Sequence, residues 1–124
     1  REAGRLGVTL DVLSETTSYD SGNAIQQAVR QAYLSGNAPD GIIAASADAT
    51  MSIATALEAE GRTIGRDVDL IAKETTEILR IFRNEILVVR EDVRRAGEFL
   101  GRAVMQAIDA PDLPPMQHLE QPAE

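Results

Sequence analysis

The stretch from Pro39 to Glu74 constrains this chain more than any other. An apolar run, Gly41-Ile42-Ile43-Ala44-Ala45, stops at Ser46-Ala47-Asp48, whose short polar side chains can accept hydrogen bonds from the first free amides of a helix. A strand therefore turns into a helix. That helix carries Ala49, Ile53, Ala54, Ala56 and Leu57 at three- and four-residue spacing, one apolar stripe that must face another layer. Gly61 ends it. After Arg62-Thr63-Ile64-Gly65-Arg66, the run Val68 to Ala72 reads as a second strand that delivers Lys73 and Glu74 at its carboxyl end. Two strands joined by a helix of this length lie parallel, and ligands of such sheets collect just beyond the carboxyl ends of the strands. Both polar clusters, Ser46 to Asp48 and Lys73-Glu74, belong there.

The flanking sequence extends the same pattern. Gly7 to Leu13 alternates like a strand, and Ser14 to Ser18 is a polar loop. A helix capped by Asp20 or Ser21 follows, with Ala24, Ile25, Ala28, Val29, Ala32 and Tyr33 on one face and Ser35-Gly36-Asn37 as its close. Downstream, Thr75 to Phe82 fits a short amphipathic helix capped by Thr75 or Thr76, and Glu85 to Arg90 fits a strand. The longest helix is expected from Val93 to Ile108, with Val93, Ala96, Gly97, Leu100, Val104, Ala107 and Ile108 on one face. Pro111, Pro114 and Pro115 break the chain, and Met116 to Glu120 is read as a short edge strand. Alternating strands and helices of these lengths give an α/β fold with a mostly parallel central sheet flanked by helices.

Composition narrows the chemistry. Twenty acidic against twelve basic side chains, a net charge of -8, leave no basic face for nucleic acid, so this chain alone should not grip DNA. No cysteine and a single histidine, His118, leave little scope for a metal centre, and none is expected. His118 is read as a surface residue. No apolar stretch approaches the ~20 residues of a membrane span. Neither a dinucleotide-binding glycine motif, a phosphate loop nor a nucleophile elbow is present, so no enzyme activity, catalytic residue or cofactor is expected. At 124 residues the chain suffices for one modest domain, and as it opens on Arg1 it is read as a piece of a longer protein.

The order of the PDGII strand, the small polar turn, the alanine-rich helix closed by Glu60-Gly61, and then I-G-x-D-V-D-L-I-A-K-E resembles the effector-binding domain of LacI/GalR-type bacterial transcription regulators. Glu85 to Asp92 followed by Arg95-Ala96-Gly97-Glu98-Phe99-Leu100 is similar to that family's crossover strand and the helix after it, and Arg1-Glu2-Ala3-Gly4 resembles its R-x-x-G motif. The resemblance implies one lobe of a two-lobed, type I periplasmic-binding-protein-like domain, with residues 1–124 as its C-terminal part. Residues 85–109 would cross towards a first lobe, and the DNA-binding helix-turn-helix would lie outside the chain. The implied function is sensing of a small effector, a sugar or polyol, in a cytoplasmic homodimer that touches DNA only through that missing head.

By the same resemblance Glu74 would accept hydrogen bonds from effector hydroxyls, and Lys73, Arg1, Ser46 and Asp48 would line the ligand. Lys73 departs from the family, which carries an aromatic residue there, and so favours a hydroxyl-rich or anionic ligand over a stacked sugar ring. Dimer contacts are expected from the helices Ala49–Glu60 and Thr75–Phe82. The alternative is a lobe of a secreted solute receptor of the periplasmic sugar-binding type, which closes about the same hinge.

Overall fold

A computed structural model describes residues 2–12 and 22–119. Three parallel strands form the sheet: β1 (Gly41–Ala44), β2 (Asp69–Glu74) and β3 (Leu87–Arg90), in the order β1-β2-β3. Gly41 stands opposite Asp69 and Ala44 opposite Ala72, while Ile71 faces Leu87 and Glu74 faces Arg90. Five helices accompany them among the described residues: α1 (Glu2–Arg5), α2 (Gly22–Leu34), α3 (Ala47–Ala59), α4 (Ile78–Phe82) and α5 (Val93–Asp109). The chain is thus an α/β lobe with a parallel sheet flanked by helices, as its alternation of strand and helix signals implies.

The period of two along each strand decides what is buried. On one sheet face Ala44, Leu70, Ala72 and Glu74 are all but inaccessible, packed under α3, and α2 and α4 pack in turn on α3. Ile25 and Val29 of α2, Ile53, Ala54, Ala56 and Leu57 of α3, and Leu79 of α4 supply the helical part of the core, and Ile64, Val68 and Ile86 join it from the loops before β2 and β3. These are the apolar positions the helical spacing selects. Thr50 is also fully buried, and its hydroxyl donates to the carbonyl of Ser46 at 2.6 Å, so the polar group does not go unsatisfied. The other sheet face is open: Ile43 is 75% exposed, and Leu87 and Val89 also face solvent.

Local signals set the ends of α3. Ser46, in extended conformation, caps the start through its hydroxyl, which accepts from the amide of Ala49 at 3.3 Å. At the far end Gly61 takes φ +69°, its amide donating to Glu58, while the amide of Arg62 donates to Leu57. This pair of bonds is a Schellman motif, which needs a left-handed residue after the helix. Gly61→Ala is therefore expected to cost about 1 kcal/mol, read as a lower midpoint in urea denaturation. Beyond it, Asp67 accepts from the amide of Thr63 and pairs with Arg66. The Arg66 hydrogen bonds, then that of Thr63, hold the Asp67 carboxyl down to about 2. This loop leads into the amino end of β2, so this strongly lowered carboxyl lies away from the strand ends where ligands gather.

Three expectations need correction. Residues 7–12 form no strand: Val8, Leu10 and Val12 are 58%, 64% and 75% exposed, and an alternating pattern pairs only where a neighbouring edge is present to receive it. The short edge strand at 116–119 is likewise absent, because this segment turns back along α5 instead: the rings of Phe99 and His118 lie 5.3 Å apart, and Gln106 donates to the carbonyl of Pro114. Helix α4 begins at Ile78, not Thr75, with Glu77 as its cap residue. The apolar face of α5 is present, yet no α5 residue is buried. The expected caps Asp20 and Ser21 lie outside the described residues.

Candidate functional site

All three strands end on one edge. The β1–β2 register ends at Ala44–Ala72, Ser46 opens α3 two residues past that pair, and Glu74 ends β2 opposite Arg90. The edge is continued by the amide of Glu91, which donates to the carbonyl of Glu74 at 3.0 Å. Ser46, Asp48, Lys73 and Glu74 are thus brought to the carboxyl edge of a parallel sheet, the position their places in sequence predict. Arg1 lies outside the described residues.

Neighbouring positions on a strand point to opposite faces, and this separates Lys73 from Glu74. Lys73 stands on the open face, where its ammonium meets the Glu91 carboxylate at 2.7 Å. Glu74 turns into the helical layer and is 5% exposed. Its Oε2 accepts from the amide of Leu79, at 3.1 Å, in the first turn of α4. A helix leaves its first amides without partners, so this carboxylate does for α4 what a capping side chain does elsewhere. Glu74 is therefore not a solvated strand-end acid: it ties β2 to α4. The Thr76 hydroxyl accepts from the amide of Ile78 at 3.5 Å, so Glu74 supplies the shorter bond to this helix start.

Ser46 has a comparable double character. Its hydroxyl caps α3 and its carbonyl accepts from Thr50, while the residue stays partly exposed at the edge. Asp48, in the first turn of α3, is exposed, where a carboxylate complements the positive end of the helix.

Three residues that the sequence reading did not single out join them. Arg90 ends β3 and reaches the carboxylate of Glu77 at 2.8 Å, tying the β3 end to the start of α4. Glu91 holds Lys73. Asp92 caps α5 by accepting from the amide of Arg95 at 2.9 Å. The signal that could have found them is the same carboxyl-end rule applied to the third strand. Among the described residues no cluster of His, Cys, Asp and Glu is arranged to hold a metal ion.

Asp48, Glu74, Glu77, Glu91 and Asp92 outnumber the cations Lys73 and Arg90 at these strand ends, and each of those cations is already held by a carboxylate. The edge is rich in carboxylates, of which Glu74 and Asp92 each cap a helix and Glu77 and Glu91 each hold a cation, while Asp48 stands exposed.

Known proteins resemble the chain at two levels. None of the curated proteins matches it. Among solved structures, a candidate transcription regulator from Staphylococcus saprophyticus subsp. saprophyticus matches with a TM-score of 0.63 and 16% identity, over 89% of this chain and 42% of that one. At that identity the likeness is one of fold, and this chain spans less than half of that protein's length. A profile of the periplasmic binding protein-like domain, in contrast, matches residues 1–124 without a gap at either end. The parallel sheet, its helical layer and this match over the whole chain agree, and the chain belongs to the periplasmic-binding-protein-like domain family.

Proposed function

We propose that this chain is the C-terminal part of the effector-binding domain of a LacI/GalR-type bacterial transcription regulator, and that it senses a small neutral polyol or sugar. The observation that carries this reading is the carboxylate-lined carboxyl edge of the parallel sheet, where Ser46, Asp48, Lys73 and Glu74 meet the strand ends. Effector hydroxyls donate to these carboxylates, and a second wall, outside this chain, closes over the ligand. The domain acts by binding and not by catalysis. Its output passes to a DNA-binding head that the chain does not contain, which fits a net charge of -8.

The test is a calorimetric titration of the full-length parent and of this chain with the same panel of sugars and polyols. Binding by the parent, with much weaker binding by the chain, is expected, since one wall of a cleft leaves half of a ligand's polar groups in water. No response of the parent to any neutral polyol would sink the reading. The family is named for its likeness to periplasmic binding proteins, and a signal peptide upstream in the parent gene, in place of a helix-turn-helix, would favour a solute receptor as the alternative.

The regulator reading includes a homodimer formed through α3 and α4. Ile81 of α4 is 84% exposed and Ile78 is 47% exposed, an apolar edge on the helix that buries Leu79. Ile81→Asp places a carboxylate where that contact would bury it, at a cost of about 2 kcal/mol or more, and should raise the dimer dissociation constant of the parent by at least about thirtyfold. Sedimentation equilibrium at matched concentrations reads the change.

A further inference from the structure

On the open face of the sheet the carboxyl edge ends in the ion pair of Lys73 with Glu91. The register explains why these two meet. Lys73 stands opposite Val89, and Glu91, two residues further on, returns to the same face. Other polar groups of the edge are committed to the fold: the Glu74 carboxylate, 5% exposed, accepts from the amide of Leu79, the Ser46 hydroxyl caps α3 and the Asp92 carboxylate caps α5. Arg90 also has a carboxylate partner, but that partner, Glu77, is the cap residue of α4 on the helical side of the sheet.

The Lys73–Glu91 pair keeps spare capacity on both sides. The side chains are 53% and 43% exposed and meet through Nζ and Oε1 at 2.7 Å. An ammonium carries three N–H groups and a carboxylate two acceptor oxygens, so two donors and Glu91 Oε2 remain, and nothing else among the described residues takes them. Both partners are also held in place from behind. Lys73 lies within β2, and the amide of Glu91 donates to the carbonyl of Glu74 at 3.0 Å, so the side chains project from a fixed backbone. A donor and an acceptor side by side match two adjacent hydroxyl groups, of which one accepts from the ammonium while the other donates to the carboxylate. An anion matches poorly, because it reaches the ammonium only beside a carboxylate of its own sign.

We propose that the Lys73–Glu91 pair sets the specificity of this edge: it takes two adjacent hydroxyl groups of a neutral polyol or sugar, and the Glu91 carboxylate turns away the anionic analogue. The proposal rests on the polyol-sensing reading and adds to it the group that is recognised and the reason acids are refused. Glu91 decides between the two classes. With its carboxylate in place, Lys73 is neutralised and acts as a hydrogen-bond donor. Without it, Lys73 is an unscreened cation at the same edge and attracts a carboxylate or phosphate.

Calorimetry on the full-length parent tests this with D-ribose, D-galactose and D-glucose as neutral probes and with D-ribonate, D-galactonate and D-gluconate as their acids. Lys73→Gln should weaken the best neutral probe about tenfold, since a charge-assisted hydrogen bond is lost. Glu91→Gln should weaken that probe by a similar factor and strengthen the corresponding acid, moving the ratio of the two affinities by about a hundredfold. A pair with only a structural role would not move that ratio. Monodeoxy analogues lacking either of two adjacent hydroxyls should bind the wild type more weakly than the intact probe, and the double variant should no longer distinguish them. The urea midpoints of both single variants should stay near that of the wild type, because an exposed ion pair contributes little to stability. If the parent binds none of the neutral probes, the polyol reading and the role of the pair fall together. If it binds one, and both variants bind it within about twofold of the wild type or Glu91→Gln gains nothing for the acid, the specificity assignment falls while the polyol reading stands.

Discussion

Leu57→Ala should remove about 3–5 kcal/mol of stability, the usual cost when a fully enclosed leucine leaves a cavity its neighbours cannot close. Leu57 has no exposed surface, and it sits in the central helix of the layer, which packs against α2, α4 and the sheet at once. The loss is a large share of the roughly 5–15 kcal/mol that holds a domain folded. With a slope of about 1.5 kcal/mol per molar urea, the denaturation midpoint should fall by at least about 2 M. Ile43→Ala is the internal control. Ile43 is also aliphatic and also in the sheet, but it is 75% exposed on the uncovered face, and its replacement should shift stability by no more than about 0.5 kcal/mol. Equal losses at the two positions would mean that both faces of the sheet are covered in solution.

Glu74 should separate a structural role from a binding role. Glu74→Gln keeps an oxygen that can accept from the amide of Leu79, so the stability of the chain should change by less than about 1 kcal/mol. The same change removes the charge from hydrogen bonds to effector hydroxyls, and the parent's affinity for its ligand should fall about tenfold, or roughly 1–2 kcal/mol. Glu74→Ala removes both partners. It leaves the buried amide of Leu79 unsatisfied and should cost about 1–3 kcal/mol of stability in addition to the affinity. Urea denaturation of the chain and calorimetry on the parent read the two effects separately. If Glu74→Gln leaves affinity untouched while Glu74→Ala still destabilises, the carboxylate serves α4 alone.

The unit from Pro39 to Glu74 was legible because several local signals agree there. The apolar run of β1, the serine cap, the alanine-rich stripe and the closing glycine each specify the same boundaries, and β1, α3 and β2 form where they indicate. The helix after β2 was harder. Its start is fixed by the Glu74 carboxylate arriving from a neighbouring strand, a tertiary contact that no capping pattern among Thr75 and Thr76 records. The strand expected at 7–13 and the edge strand expected near 116–119 failed for another reason. Alternation states that a segment could pair but not that an edge is available, and here Val8 to Val12 has none among the described residues. For α5 the periodicity located an apolar face correctly, yet periodicity does not name what covers it. At the candidate edge, the separation of Lys73 from Glu74 follows from strand geometry alone, whereas the Glu91 and Glu77 partners of Lys73 and Arg90 depend on how the strand ends align.

A sheet with only parallel neighbours contains no hairpin, and this bears on how the chain reaches its structure. Ala44 can find Ala72 only after the intervening segment has closed on itself with the whole of α3 inside it. Pairing cannot start at a turn and zip outwards. The packing of α2 on α3 buries Val29 and Leu57, which stand as far apart in sequence as Ala44 and Ala72, so the helical layer also waits on the closure of a segment of that size. Folding should accordingly be slower than for a helical bundle of the same length. During that interval the alternating apolar positions of β1 and β3 lie bare, so the refolding yield of this chain should fall as its concentration rises.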